Sequence, residues 1–243
     1  MKLERTRVFR GAHVAGEVHR PEGGGPAWLD LRDLPMDAEA VAPVQAHLAA
    51  GGLLAYPTET VYGLGAPVTE AGIEALASLK GRDPDRPFLA LVPDAAAAEE
   101  LLWTPEAREL AELFWPGALT LVLEDPTRSF PSGVRSHQGT VAVRVSPHPF
   151  VAALLEAWGG PLLSTSANSP GEPPAHSGHE ARDVGLRLGA DDSLLVVEVG
   201  TLPPSPPSTV VDCTGVAPVV LRQGSIPVSR LRCALPGLEN HDD

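Results

Sequence analysis

Only two cysteines, Cys213 and Cys233, occur in the 243-residue chain. That is too few for a cysteine-rich zinc site or a disulfide framework. They read as free thiols in a reducing compartment, a single bridge between them being the alternative. No apolar run approaches the roughly 18 residues of a membrane span. The opening MKLERTRVFRG has no apolar core of a secretory signal, so the cytoplasm is the expected location and no membrane is expected as a partner. Positive charge is scarce as well: 18 Lys and Arg against 31 Asp and Glu leave a net charge of −13. Such a balance argues against a broad nucleic-acid-binding surface but leaves room for a small basic pocket. Lysine occurs only at Lys2 and Lys80, which makes Lys80 a lone internal ammonium in an arginine-biased chain.

Several motifs are missing. Gly63-x-Gly65 lacks the third glycine of a dinucleotide fingerprint, and no Gly-Lys-Ser/Thr phosphate loop exists. No Ser-His-Asp ordering stands out, and there is no internal repeat. His176 and His179 lie three apart in a Pro/Ser/Gly loop without a cysteine or third ligand nearby, so they read as solvent-facing and no protein-held metal site is expected.

What is present is an ordinary globular composition, 43% hydrophobic and 20% charged, with 24 glycines and 26 prolines that imply many rigid loops. Residues 1–36 lack periodicity and read as an N-terminal extension, with Trp28-Leu29-Asp30-Leu31 alternating like an edge strand. A main domain over 37–235 and a tail over 236–243 follow. Asp37 caps a helix to Ala50, and Thr69 caps one ending at Lys80-Gly81. Asp94 to Leu102 reads as an alanine-rich helix, and Thr104-Pro105 opens another. Strands are expected at Phe88–Val92, Leu119–Glu124, Val141–Ser146, Pro161–Ser166, Leu194–Val199, Thr209–Asp212 and Val219–Arg222. Helices are expected at 149–158, 180–189 and 228–234. The mixture implies an α/β fold with a mixed, twisted sheet.

The stretch Leu53–Gly65, LLAYPTETVYGLG, is central. An apolar strand stops at Pro57 and gives way to a hydroxyl-rich loop closed by Gly63 and Gly65, the manner in which open α/β sheets offer ligand sites at strand C-termini. An ordinary connection is the bland alternative. Lys80, Arg82 and Arg86 crowd a helix end and the turn after it. Either they clamp a polyphosphate or carboxylate, or they complement the helix dipole and pair with Asp83 and Asp85. In Thr140-Val141-Ala142-Val143-Arg144-Val145-Ser146 the valines share one face, leaving Thr140, Ala142, Arg144 and Ser146 on the other. An arginine in mid-strand needs an anion, either a ligand or an internal acid. Ser164, Ser166 and Asn168 form a seat for phosphate or ribose oxygens, or a self-capping turn. Pro207-Ser208-Thr209 and Leu221-Arg222-Gln223-Gly224 complete the polar set.

Taken in order, YPTETVYGLG, LKGRDPDRP, FWPGALTLVL, VAVRVSPHP, STSAN, STVVD and LRQG resemble the YrdC/TsaC family of L-threonylcarbamoyladenylate synthases over about residues 38–226. The resemblance implies a twisted mixed sheet with surrounding helices around a deep, positively charged cavity. It implies a nucleotidyltransferase joining L-threonine, bicarbonate and ATP into threonylcarbamoyl-AMP and pyrophosphate, with Mg2+ bound with ATP. A downstream complex would then transfer the threonylcarbamoyl group to tRNA. Carried over residue by residue, Thr58, Thr60, Arg144, Ser164 and Ser208 form the threonine subsite. Lys80, Arg82 and Arg86 hold the triphosphate, Thr140, Ser166 and Asn168 seat the α-phosphate and nucleoside, and Arg222 closes over them. Lys80, Arg82 and Arg144 carry the catalytic expectation. The chain departs from the family at Arg86-Pro87-Phe88, Leu91 and Pro174, and its end at Asp243 implies the single-domain form. Loop 167–180 is the expected moving part. Two rival readings are an RNA-binding module of the same fold, with direct tRNA contact, and a HypF-type carbamoyl-transfer domain; the latter ordinarily carries zinc-binding cysteine pairs.

Overall fold

A computed structural model describes residues 15–82 and 86–240. The expected pairing of Lys80 and Arg82 with Asp83 and Asp85 lies outside the described residues. In chain order the elements are β1 (Val18–His19), β2 (Ala27–Asp30), α1 (Ala38–Ala49), β3 (Leu53–Pro57), β4 (Tyr62–Pro67), α2 (Glu70–Lys80), β5 (Leu89–Leu91), α3 (Pro105–Phe114) and β6 (Leu119–Glu124). There follow β7 (Thr140–Arg144), α4 (Pro149–Trp158), β8 (Leu162–Ser166), α5 (Gly178–Arg187), β9 (Leu194–Glu198), β10 (Thr209–Asp212), β11 (Val219–Arg222), α6 (Val228–Ala234) and β12 (Glu239–Asn240).

The helix ends follow from local chemistry. Asp37 accepts from the amides of Glu39 and Ala40, and Thr69 from that of Gly72, so each satisfies donors the first turn leaves unpaired. Gly81 stops α2 in the left-handed region at φ 54°, where a side chain would be strained.

All the strands form one sheet in the order β1-β2-β9-β3-β4-β8-β5-β7-β6-β10-β11-β12, with parallel and antiparallel neighbours mixed. One face packs under α1 and α4 through Val41, Val44, Leu48, Phe150 and Leu154. The other packs under α2, α3, α5 and α6 through Leu76, Leu110, Ala181 and Leu231. Alternation along β7 sends Val141 and Val143 into the second core and leaves Ala142 and Arg144 facing the first side.

Three local expectations are corrected. The Trp28 segment is not the edge: β2 is paired on both sides, with β1 and β9, and Ala27 and Leu29 are fully buried. Residues 94–102 form a short 3-10 turn over Ala96–Ala98. Asp94 caps the amide of Ala97, and the Leu102 amide is drawn to the Glu124 carbonyl, so a segment too short to nucleate a stable helix never propagates. Finally, Gly63 and Gly65 do not close a loop but lie inside β4, hairpin-paired with β3.

Both glycines are there for close approach rather than for positive φ. A Cβ on Gly65 would stand 2.5 Å from the Leu163 carbonyl oxygen and 2.8 Å from the Tyr56 ring. Gly65→Ala is therefore expected to destabilise the fold by about 1–3 kcal/mol through overpacking. The check is chemical denaturation, read as a lower midpoint at unchanged slope.

Candidate active site

Beyond the reach of α1 and α4, the face of the sheet that they cover opens into a cavity of about 290 Å3. Its floor is a row of mostly short side chains from adjacent strands: Gly63 of β4, Ser164 of β8, Leu89 of β5, Ala142 of β7, Thr120 of β6 and Val210 of β10. The cavity thus lies across the sheet face and reaches the turn after the C-terminal end of β3, where Thr58, Thr60 and Val61 line it as the sequence led one to expect. Arg82, Arg86, Arg144 and Arg222 stand around it, and no carboxylate is among its described lining residues.

The turn between β3 and β4 supplies one wall. Thr58 donates its hydroxyl to the Val61 carbonyl at 2.7 Å and lies 3.1 Å from the Thr60 hydroxyl, which fixes both side chains. Ser164 accepts a 2.8 Å bond from Tyr56, whose phenol burial pushes up to about 12, so it stays a neutral donor. Across the floor the hydroxyls of Ser208 and Thr120 meet at 2.9 Å, and Arg222 donates to the Ser208 carbonyl at 2.9 Å.

Lys80, at the end of α2, stands behind this wall. Its ammonium donates to the carbonyls of Ser166 at 3.1 Å and Asn168 at 2.5 Å, and to Asn168 Oδ1 at 3.1 Å. Ser166 donates to that same Oδ1 at 2.7 Å. All these acceptors are neutral. Burial first, then the neighbouring Arg82, pushes the Lys80 ammonium down to about 8. Arg82 donates to the carbonyls of Arg86 and Pro87 and to the Thr165 hydroxyl, and its guanidinium lies 4.5 Å from the Phe88 ring centre. Burial, then Arg86, lowers the pKa of Arg82; burial, then Arg144, lowers that of Arg222.

Arg144 is buried and pairs with an internal acid, Glu59, whose other oxygen accepts from Ser146 at 2.6 Å. Arg144 thus meets an internal acid. The structure brings Thr58, Thr60, Arg82, Arg86, Arg144, Ser164, Ser166, Ser208 and Arg222 to one cavity. Lys80 and Asn168 back it through Ser166. Thr140 does not join them. It shares the face of Arg144, four residues earlier in β7, and its hydroxyl is 2.8 Å from that of Ser136. Leu91 is fully buried in the core, and Pro174 belongs to a separate hollow with His176 and Glu180. Sequence reasoning gave no part to Tyr56, Glu59, Thr120 or Thr165. The alternation of Thr120 with Leu119 and Leu121 was a usable signal for one of them.

The sequence profile of the Sua5/YciO/YrdC family, described as telomere recombination, matches residues 46–224. The chain belongs to this family. A Stenotrophomonas maltophilia member named threonylcarbamoyl-AMP synthase is 42% identical over 177 residues, 71% of this chain and 91% of that one. P. abyssi Sua5, solved in complex with L-threonine, superposes with a TM-score of 0.80 at 30% identity, covering 88% of this chain and 62% of its own length. E. coli YciO superposes with a TM-score of 0.72 at 26% identity, over 84% of this chain and 97% of that one. Among the described residues, no helix is long and apolar enough to cross a membrane, and no group of three or more His, Cys, Asp and Glu could hold a metal ion.

Proposed function

We propose that the cavity makes threonylcarbamoyl-AMP and pyrophosphate from L-threonine, bicarbonate and ATP, in the cytoplasm, for later transfer to tRNA by a separate complex. The observation that carries the reading is a cavity ringed by arginines and hydroxyls, with no carboxylate among its described lining residues, in a chain whose relatives bear that name. Thr58, Thr60, Ser164 and Ser208 surround the amino acid, and Arg144 holds its carboxylate. Lys80, Arg82 and Arg86 neutralise the triphosphate, Ser166 and Asn168 lie by the α-phosphate, and Arg222 covers the nucleotide. Bicarbonate takes up a proton and loses water to give CO2; the threonine amine, as free base, adds to the CO2 carbon and releases its proton to solvent, giving a carbamate. A carbamate oxygen then attacks the α-phosphorus, and the bond to the β-phosphate breaks with its electron pair leaving on pyrophosphate. Such a step asks chiefly for alignment and charge neutralisation, which fixed arginines and hydroxyls supply. Cations and hydroxyls suit phosphate oxygens rather than a resident metal, so Mg2+ enters with ATP as part of the substrate.

The test is an omission series with ATP, Mg2+, L-threonine and bicarbonate, reading pyrophosphate and the adenylate by mass spectrometry. Product is expected only when all three substrates are present, and less of it when serine replaces threonine. ATP-independent, steeply salt-dependent RNA binding with no adenylate would favour the RNA-binding module instead.

A further inference from the structure

The acid that meets Arg144 is set behind the cavity rather than in it. Thr58 and Thr60 line the cavity, whereas Glu59 between them and Ser146 do not. The guanidinium is thus gripped at Nη2 by Glu59 from outside, with the Thr60 hydroxyl a further 3.4 Å contact. Glu59 is itself fixed by Ser146, whose hydroxyl also accepts from the His148 amide at 3.3 Å at the start of α4. His148, the neighbouring titratable group, is kept toward the neutral form by burial, against the pull of Glu59. Arg222 lines the same cavity, and the two guanidinium groups repel each other. Meanwhile Arg144 Nε is fully buried and has no partner, a donor left for something the protein does not itself provide.

We propose that Glu59 is a positioning residue for amino-acid binding: from behind the cavity it holds Arg144 against the repulsion of Arg222, so that the free side of the guanidinium meets the substrate carboxylate. The inference rests on the reading of Arg144 as the carboxylate seat. An ion pair that takes one outer nitrogen fixes the plane of a guanidinium and still leaves N–H donors for a second anion. Truncating the acid releases that plane, and an error of about 1 Å at such a site costs on the order of 100-fold.

The experiment compares Glu59→Ala, Glu59→Gln and Ser146→Ala with wild type in steady-state kinetics, with calorimetric titration of L-threonine alongside. In Glu59→Ala the KM for threonine is expected to rise by about 10- to 100-fold while that for ATP stays within about twofold. Glu59→Gln, which keeps a hydrogen-bonding group of the same shape, is expected to fall between Glu59→Ala and wild type. Ser146→Ala is expected to shift the same parameter in the same direction. A threonine KM unchanged in Glu59→Ala, or threonine and ATP constants that rise together, overturns the proposal. Should Glu59→Ala fail to fold, Glu59→Gln and Ser146→Ala decide by the same criterion. A wild-type protein that forms no adenylate would instead sink the synthase reading, and the titrations would still judge Glu59 by the threonine affinity it controls.

Discussion

Arg144→Ala is expected to lower kcat/KM for L-threonine on the order of 10²- to 10³-fold while the KM for ATP moves little. Arg144 is almost fully buried, so its charge acts where water screens it poorly, and its planar fork can take a carboxylate through two parallel bonds. Part of the loss comes from Glu59, which would keep only Ser146 as partner once the guanidinium is gone. Arg144→Lys separates the two contributions. It keeps a positive charge near Glu59 but presents a point ammonium in place of the fork. Most of the threonine defect should therefore persist in Arg144→Lys, whereas the fall in melting temperature expected of Arg144→Ala should largely be recovered. A threonine KM in Arg144→Ala equal to that of wild type would remove this residue from the amino-acid subsite.

Lys80 is the second large effect, on the nucleotide. Lys80→Ala should cost on the order of 10²-fold in kcat, through loss of a poorly screened charge behind the wall and of the bonds that hold Ser166 and Asn168 in place. Its partners are carbonyl oxygens, so the ammonium is held in place without being neutralised and its charge remains available to phosphate. Burial also sets a pH dependence. With the folded-state pKa pushed down to about 8, the unfolded chain binds more protons between that value and the ordinary lysine range. This group's contribution to stability therefore rises with pH across that window, and Lys80→Met should abolish the rise. ATP affinity should run the other way and weaken above about pH 8, as the free protein loses the ammonium that the triphosphate requires. Titrations in buffers of different ionisation enthalpy should show proton uptake on ATP binding above that pH, absent in Lys80→Met.

Much of this was written in the sequence wherever one residue type has few physical outlets. A buried arginine on a strand had to meet an anion, and Arg144, the last residue of β7, meets Glu59. A lone lysine before a helix-stopping glycine had to end α2, and Lys80 does. What escaped were arrangements that depend on neighbours far along the chain. Gly63 and Gly65 read as loop closers because nothing nearby reveals that Leu163 and Tyr56 press against them. Residues 96–98 contain three helix-favouring alanines, yet a bridge from Leu102 to Glu124 draws the segment away from a helix. Thr140 shares the face of Arg144, as alternation requires, but period-2 spacing says nothing about how far along a strand a cavity reaches.

The strand order has a kinetic consequence. Gly65 pairs with Ser164, a partner roughly 100 residues away, and Thr209 at the start of β10 must dock beside Leu119. Sheets joined over such separations must close long loops before any pairing compensates the lost entropy, so they fold slowly. During synthesis the chain emerges from its N-terminus, and the wall carrying Ser208 and Arg222 arrives after every other part of the cavity has been made. The pocket is thus completed near the end of translation. In refolding, recovery of ligand binding should accordingly lag behind recovery of helix signal.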